Sequence, residues 1–431
     1  MRNYRRNSKR ILAMLLGALS SSCLNINAAE NNNVRVKRNP NRPNTVNEGQ
    51  PVSFLKKLLL LCIAGGATLA TYKVARYVIR HKLYEGTKEL RGKDLTRLLY
   101  LATDLYRKDN NLCGISEDCI KTTYKKYDNG KKSITVYDVS LTSIEGHQPT
   151  GKDLIVFGPN CYTSVLLFNP RMLDNYDHVY LVDRSGYGMA DDIDVPENME
   201  DLYEGARYFV NEILPKNENG RKRELLCFSM GGAETSSLME LDEYKYFTLL
   251  SPACLKSYCD DSLLSKALRS VFYDLDVSWA INMIEALEKR KSAMHVHVIS
   301  GDKKDKLCAV KSLRYAAIER LGWTDPEDWD TLTLQQQANR LCEFYQNKYP
   351  GKLYIDVTIY ENVNHEGNAL LYQGLHQLMD NSTPGDDTPA PKANKNTFLD
   401  YMIMACEVND MKIPKLKELL NDMKNASMNW A

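Results

Sequence analysis

What the 431-residue chain lacks already narrows its function. No Cys-x-x-Cys pair occurs, and the eleven cysteines, scattered from Cys23 to Cys406, are too sparse for a disulfide scaffold or a zinc ribbon. Neither Gly-x-Gly-x-x-Gly nor Gly-x-x-x-x-Gly-Lys-Ser/Thr is present, so the glycine-rich cradles for dinucleotides and nucleotide phosphates have no basis here. Charge of one sign is also missing. The 56 Lys+Arg face 55 Asp+Glu for a net charge of +1, whereas electrostatic capture of DNA or RNA needs a marked basic excess. No internal repeat is visible. What remains is ordinary for a folded protein: 43% hydrophobic and 26% charged residues exclude wholesale disorder and a multi-span membrane protein. The length allows one large domain with extensions or two smaller ones.

The N-terminus points to a membrane address. Arg2, Arg5, Arg6, Lys9 and Arg10 precede the apolar run Ile11–Leu19, and small residues follow up to Ala28-Ala29. That layout predicts a signal peptide, or an uncut signal anchor, over 1–29. Residues 30–52, rich in Asn, Arg and Pro, read as a disordered linker. The uncharged run Leu58–Tyr72 is short for a span, but Lys56, Lys57 and Lys73 can snorkel and Val74–Ile79 extends it. A transmembrane anchor is therefore expected over 53–81, with a buried or interfacial helix as the alternative. Basic residues flank the run on both sides, so its orientation stays open.

Beyond it the pattern is globular. Residues 82–129 read as a helical N-terminal extension, with Leu95, Leu98, Leu99, Ala102 and Leu105 at helical spacing. Asp128-Asn129-Gly130 between extended stretches signals a hairpin. Strands then read at Asp153–Phe157, His178–Val182, Glu224–Phe228, Tyr246–Leu250, His295–Ser300 and Leu353–Tyr360. Helices alternate with them near 199–214, 231–241, 278–290, 309–321 and 367–380. A hairpin followed by strand and helix in turn predicts an α/β domain over 130–380, its mostly parallel sheet covered by helices on both faces. Residues 381–397 form a second linker, and 398–431 a C-terminal helical tail that docks on the domain or on a partner the sequence does not identify.

One segment carries chemistry. Glu224–Phe228 is a strand that enters a helix through Ser229-Met230-Gly231-Gly232-Ala233, a turn that would push the serine hydroxyl out of the strand end. Gly231 and Gly232 supply the small residues such a turn needs, while Cys227 stands where glycine is usual. Upstream, Asp183-Arg184-Ser185-Gly186-Tyr187-Gly188-Met189-Ala190 ends another strand. Together, in this order and about 40 residues apart, these motifs resemble the α/β-hydrolase superfamily. The second matches that family's D-x-x-G-x-G-x-S turn with Ala190 for Ser.

The resemblance implies an α/β-hydrolase fold with a helical lid and a Ser-Asp-His triad in that chain order, needing no cofactor and no metal. Ser229 is then the nucleophile. His365, in the loop after the last strand, is the base; His376 lies mid-helix, and His295 and His297 share one strand face. The acid should follow the strand His295–Ser300, where Asp305 is favoured over Asp302. Oxyanion donors would be the Met230 N–H and, because Pro159 has none, the N–H of Asn160 or Cys161, with Asn160 the choice. A lid is expected at 255–277, where Leu263, Leu264, Leu268, Val271 and Phe272 offer an apolar lining, and a second insertion at 323–350 adds to the wall.

These features predict a membrane-tethered serine hydrolase acting on a small-molecule or lipid-like acyl substrate. Two readings compete: an acyltransferase with the same triad, and a catalytically inactive binding protein of the same fold, which Pro159 and Cys227 favour.

Overall fold

The structure is a computed structural model and describes residues 93–144, 146–159, 163–185, 198–217, 220–253, 278–301, 309–360 and 398–409. The chain divides into two compact units, Met1–Ala67 and Thr68–Ala431, and every described residue belongs to the second. The expected signal segment, linkers, membrane anchor and lid all lie outside the described residues. Among the described residues no helix is long and apolar enough to cross a membrane.

A helix opens the described chain (α1, Lys93–Asp109), followed by the hairpin β1 (Ile120–Tyr127) and β2 (Lys132–Ser140). Asp128, Asn129 and Gly130 all take positive φ, as a tight hairpin turn requires. Strands and helices then alternate: β3 (Lys152–Phe157), β4 (His178–Asp183), α2 (Met199–Tyr208), β5 (Lys222–Phe228), α3 (Met230–Thr235), β6 (Tyr246–Leu250), α4 (Trp279–Lys289) and β7 (Met294–Gly301). Next come α5 (Ala309–Leu321), α6 (Leu334–Lys348), β8 (Leu353–Tyr360) and α7 (Phe398–Val408). The eight strands form one sheet in the order β1-β2-β4-β3-β5-β6-β7-β8. Strand β2 runs against both neighbours and every pairing from β4 to β8 is parallel.

Parallel strands in the middle of a sheet bury both faces, which is why they read as unbroken apolar runs. Successive residues of β3, β4 and β5 accordingly feed two different cores. Ile155, Phe157, Tyr180, Val182, Leu225 and Cys227 join one, with Trp279 and Ile284 of α4, Leu313 of α5 and Leu341 of α6. Leu154, Val156, Val179, Leu181, Leu226 and Phe228 join the other, with Leu98 of α1 and Met402 of α7. Helices cover both faces, as the sequence predicts.

Two sequence readings are corrected. The sheet begins at Ile120, ten residues before the expected domain start at 130, so 82–129 is not a purely helical extension. The edge strand β1 (IKTTYKKY) is mostly polar because much of it faces solvent, so the pattern that betrays a buried strand is muted there. Helix α1 is part of the second core, and α7 packs against it through Tyr106, which meets Phe398 and Tyr401 edge-on at 6.3 and 5.1 Å. The described part of the tail therefore docks on the domain.

The second correction concerns 323–350. Helix α6 buries Ala338, Leu341, Cys342 and Tyr345 in the first core, so it is a layer of the fold. It also closes the free edge of β8. Gln335 donates to the Val357 carbonyl (2.7 Å) and accepts from the Ile359 N–H (2.8 Å), and Gln346 donates to the Ile355 carbonyl (2.9 Å). These glutamines occupy backbone groups that would otherwise be open to pairing with another chain.

Candidate active site

The geometry at the end of β5 is unusual in one residue. Ser229 has φ 54° and ψ −113°, a conformation side-chain-bearing residues rarely adopt, at a cost of order 1–3 kcal/mol. Its backbone is held from three sides. The Ser229 N–H donates to the Leu250 carbonyl (2.9 Å), while its own carbonyl accepts from Gly232 (3.1 Å) and Ala253 (2.8 Å). A strained residue persists only where its surroundings over-determine it, and strain of this kind gathers at functional sites. Ser229 itself is 8% exposed.

The turn closes only because the residues beside it are glycines. A Cβ on Gly231 would lie 2.4 Å from the Phe157 carbonyl oxygen, and one on Gly232 would lie 2.8 Å from the Pro252 side chain. Both distances are shorter than real Cβ atoms show, so α3 packs on β3 and on the exit of β6 through bare backbone. Met230 opens the helix, so its N–H has no acceptor within that helix and is placed beside the serine.

Cys227 fills the position where the elbow usually has glycine. It is fully buried, and the Thr235 hydroxyl lies 3.0 Å from its sulfur. Burial pushes its thiol up to about 12, so at neutral pH it is a compact apolar neighbour and carries no thiolate chemistry.

The exit of β4 adds a charged constellation. The carboxylate of Asp183 accepts from the Thr163 hydroxyl (2.5 Å), the Ser164 N–H (2.6 Å) and the Ser164 hydroxyl (2.9 Å). Arg184, the next residue, donates to the carbonyls of Gly158 (2.7 Å) and Pro159 (3.2 Å), and its guanidinium lies 2.7 Å from the carboxylate of Glu234 on α3. Burial pushes both carboxyl groups, Asp183 and Glu234, above the usual range, and Arg184 pulls each back. Sequence reading places Asp183 and Arg184 in a strand-end turn but misses Glu234. The available signal was a lone charge among Gly231, Gly232 and Ala233, in a helix whose every residue is buried.

Asn160, Asp302, Asp305, His365 and His376 lie outside the described residues, as does the segment Gly186–Ala190 of the second motif. The strands that lead to the expected acid and base are described. In the parallel register Phe228 pairs with Leu250, Leu250 with Ile299, Ser300 with Ile359 and Gly301 with Tyr360, so β5, β7 and β8 all end at one edge of the sheet. His295 and His297 share a strand face, as the alternation implies. His295 is stacked between Tyr246 and Tyr354, at 4.8 and 4.7 Å, and His297 pairs with Asp356.

Among the described residues seven strands run one way and β2 runs the other way, and a strained serine turn leaves strand β5 of that sheet. This arrangement defines a protein of the α/β-hydrolase fold. No protein-family model matches the chain, and no curated protein matches it in sequence. Among solved structures, the chain is similar to an alpha-beta hydrolase from Vibrio vulnificus, at 13% identity over 67% of this chain and 91% of that one, with a TM-score of 0.38. It is also similar to an esterase from Pyrobaculum calidifontis (14% identity, 67% and 84% covered, TM-score 0.37). A third is alpha/beta hydrolase domain-containing protein 10 from mouse (11% identity, 60% and 98% covered, TM-score 0.34). The fold assignment rests on the strand order and directions given above.

Proposed function

We propose that the chain is a serine hydrolase that cleaves a carboxylic ester or another acyl bond through an acyl-enzyme on Ser229. The observation that carries this reading is the backbone of Ser229: a non-glycine residue at φ 54° where a parallel strand enters a helix, held by three backbone hydrogen bonds. Such strain has no purpose in packing, because a glycine would relieve it; a serine there presents a hydroxyl at the C-terminal edge of the sheet.

In this mechanism the Ser229 hydroxyl oxygen attacks the substrate carbonyl as His365 takes its proton. The tetrahedral oxyanion is met by the N–H groups of Met230 and Asn160. His365 then returns the proton to the leaving alcohol or amine as that bond breaks, leaving the acyl ester on Ser229. Water, deprotonated by the same histidine, releases the acid and restores the serine. Asp305 holds the histidine in the tautomer that accepts from the serine and stabilises the imidazolium. The test is hydrolysis of p-nitrophenyl esters by wild type and Ser229→Ala: the wild type turns over and the variant, folded to the same degree, does not.

The sequence adds the address. An anchor over 53–81 would tether the domain, and an apolar lid over 255–277 beside a bilayer suits a lipid-like acyl chain. A chain starting near residue 90 is then expected to stay in the supernatant without detergent. Recovery of that chain in the membrane pellet would overturn the anchor at 53–81.

A further inference from the structure

Among the buried charges that the mechanism above leaves unused, Asp183, Arg184 and Glu234 lie beside the elbow. Arg184 and Asp183 reach the backbone of the chain leaving β3, and Glu234 reaches Arg184. Arg184 donates to the two carbonyls at the exit of β3, Gly158 and Pro159, and its neighbour Asp183 accepts from Thr163 and Ser164. The chain leaving β3 is thus pinned before and after residues 160–162 by adjacent residues of opposite polarity. Gly158 is tight as well: a Cβ there would lie 2.9 Å from the Ser164 nitrogen. The third contact of Arg184 reaches Glu234, which is 1% exposed and sits on the helix that begins directly after Ser229.

Burying a guanidinium and two carboxylates is costly, and well-packed apolar side chains would hold a fold as well or better. What an ionic bridge adds is direction. One planar fork fixes the exit of β3 and the nucleophile helix in a single geometry. From this we infer that Arg184, held by Glu234, is a positioning residue for acyl transfer. It fixes the β3 exit at Gly158 and Pro159 against the helix that follows Ser229 and opens with Met230. The inference rests on the serine-hydrolase reading. Oxyanion stabilisation requires donors placed in advance, at distances of 2.7–3.1 Å from the developing charge, so a small displacement of the β3 exit would act on the transition state more than on substrate binding.

The test compares wild type, Ser229→Ala, the double variant Arg184→Leu/Glu234→Leu and the single variant Arg184→Lys. For each, p-nitrophenyl acetate hydrolysis gives kcat and KM, fluorophosphonate labelling gives a rate, and thermal melting reports folding. The double variant removes both members of the Arg184–Glu234 pair together, and Asp183 keeps its three hydrogen bonds to Thr163 and Ser164. It should melt like wild type and keep KM within about two-fold, with kcat and the labelling rate down by about 10²–10³, the cost of losing one oxyanion donor. Arg184→Lys keeps the charge opposite Glu234 but loses the fork; it should fold and lose at least about ten-fold in kcat, a partial rescue of the double variant. Wild-type kcat in a folded double variant overturns the inference and leaves the nucleophile assignment standing. Should the double variant fail to fold, wild-type kcat in Arg184→Lys overturns the inference instead. A wild type that neither hydrolyses the ester nor labels overturns the serine-hydrolase reading and this inference with it.

Discussion

A methyl group on Gly231 would sit 2.4 Å from the carbonyl oxygen of Phe157, so the helix behind Ser229 meets β3 backbone to backbone. No side-chain rotation relieves that contact, because both partners are main chain. Gly231→Ala must therefore move α3 away from β3, and the serine with it. Overpacking of this kind costs about 1–3 kcal/mol in stability, and a displacement of about 1 Å at a reacting group can cost about 10²-fold in rate. The expected outcome is a folded variant with a lowered melting temperature and esterase activity reduced by about two orders of magnitude. Wild-type activity in Gly231→Ala would mean that this contact does not set the position of the serine.

The acid of the triad leaves two candidates on one loop, Asp302 and Asp305. A carboxylate behind the histidine fixes its tautomer, and Asp→Asn keeps the shape while removing the charge, at a cost of up to about 10⁴ in rate. Asp305→Asn is expected to lose activity by orders of magnitude with little change in melting, while Asp302→Asn stays near wild type. Hydrolysis of a short-chain chromogenic ester by both variants decides it. Loss in Asp302→Asn alone would shift the loop register by three residues.

At the opposite end of the strands, Asp177 holds a knot of polar contacts. It is fully buried and accepts from the Thr150 N–H (2.6 Å), the Thr150 hydroxyl (3.0 Å) and the Gly151 N–H (3.0 Å), and it pairs with Arg221. His147 lies 3.5 Å away. Burial alone would push this carboxyl up, but the amides, the hydroxyl and Arg221 outweigh it and hold it below the usual range. A carboxyl depressed in the folded state contributes stability above its unfolded value, about 3.9, and loses it as pH falls through the folded value. Asp177→Asn should therefore destabilise at pH 7, by about 3–5 kcal/mol if it behaves as a broken buried pair. The gap from wild type should close as pH drops below about 4. Urea unfolding of both proteins at pH 7, 5 and 3 measures this; a gap of equal size at pH 3 would contradict it.

The sequence made the buried middle of the sheet legible and its rims much less so. Strands β3 to β8 stand within two residues of their expected limits, those in the middle because parallel strands buried on both faces must be continuous apolar runs, and β8 because its buried residues alternate with exposed ones. The elbow was legible because its geometry demands small residues at Gly231 and Gly232. The edge was harder. Strand β1 is mostly lysine and threonine with few apolar residues, and the edge-closing role of α6 depends on Gln335 and Gln346, polar residues that look like any solvated helix face until β8 lies beside them. The bridge from Arg184 to Glu234 was illegible for a related reason. It joins two motifs about 50 residues apart in sequence, and only the sheet order brings the exits of β3 and β4 next to the helix after β5.

The most direct measurement is covalent labelling of the full-length protein by a fluorophosphonate, followed by peptide mapping. A serine made nucleophilic by its base displaces fluoride from phosphorus and remains phosphonylated. The mass increase is expected on the peptide containing Ser229 and on no other serine, and it should vanish in Ser229→Ala and in His365→Ala. A wild-type protein that stays unlabelled, or one whose label maps to a serine other than Ser229, would contradict the assignment of Ser229 as the nucleophile.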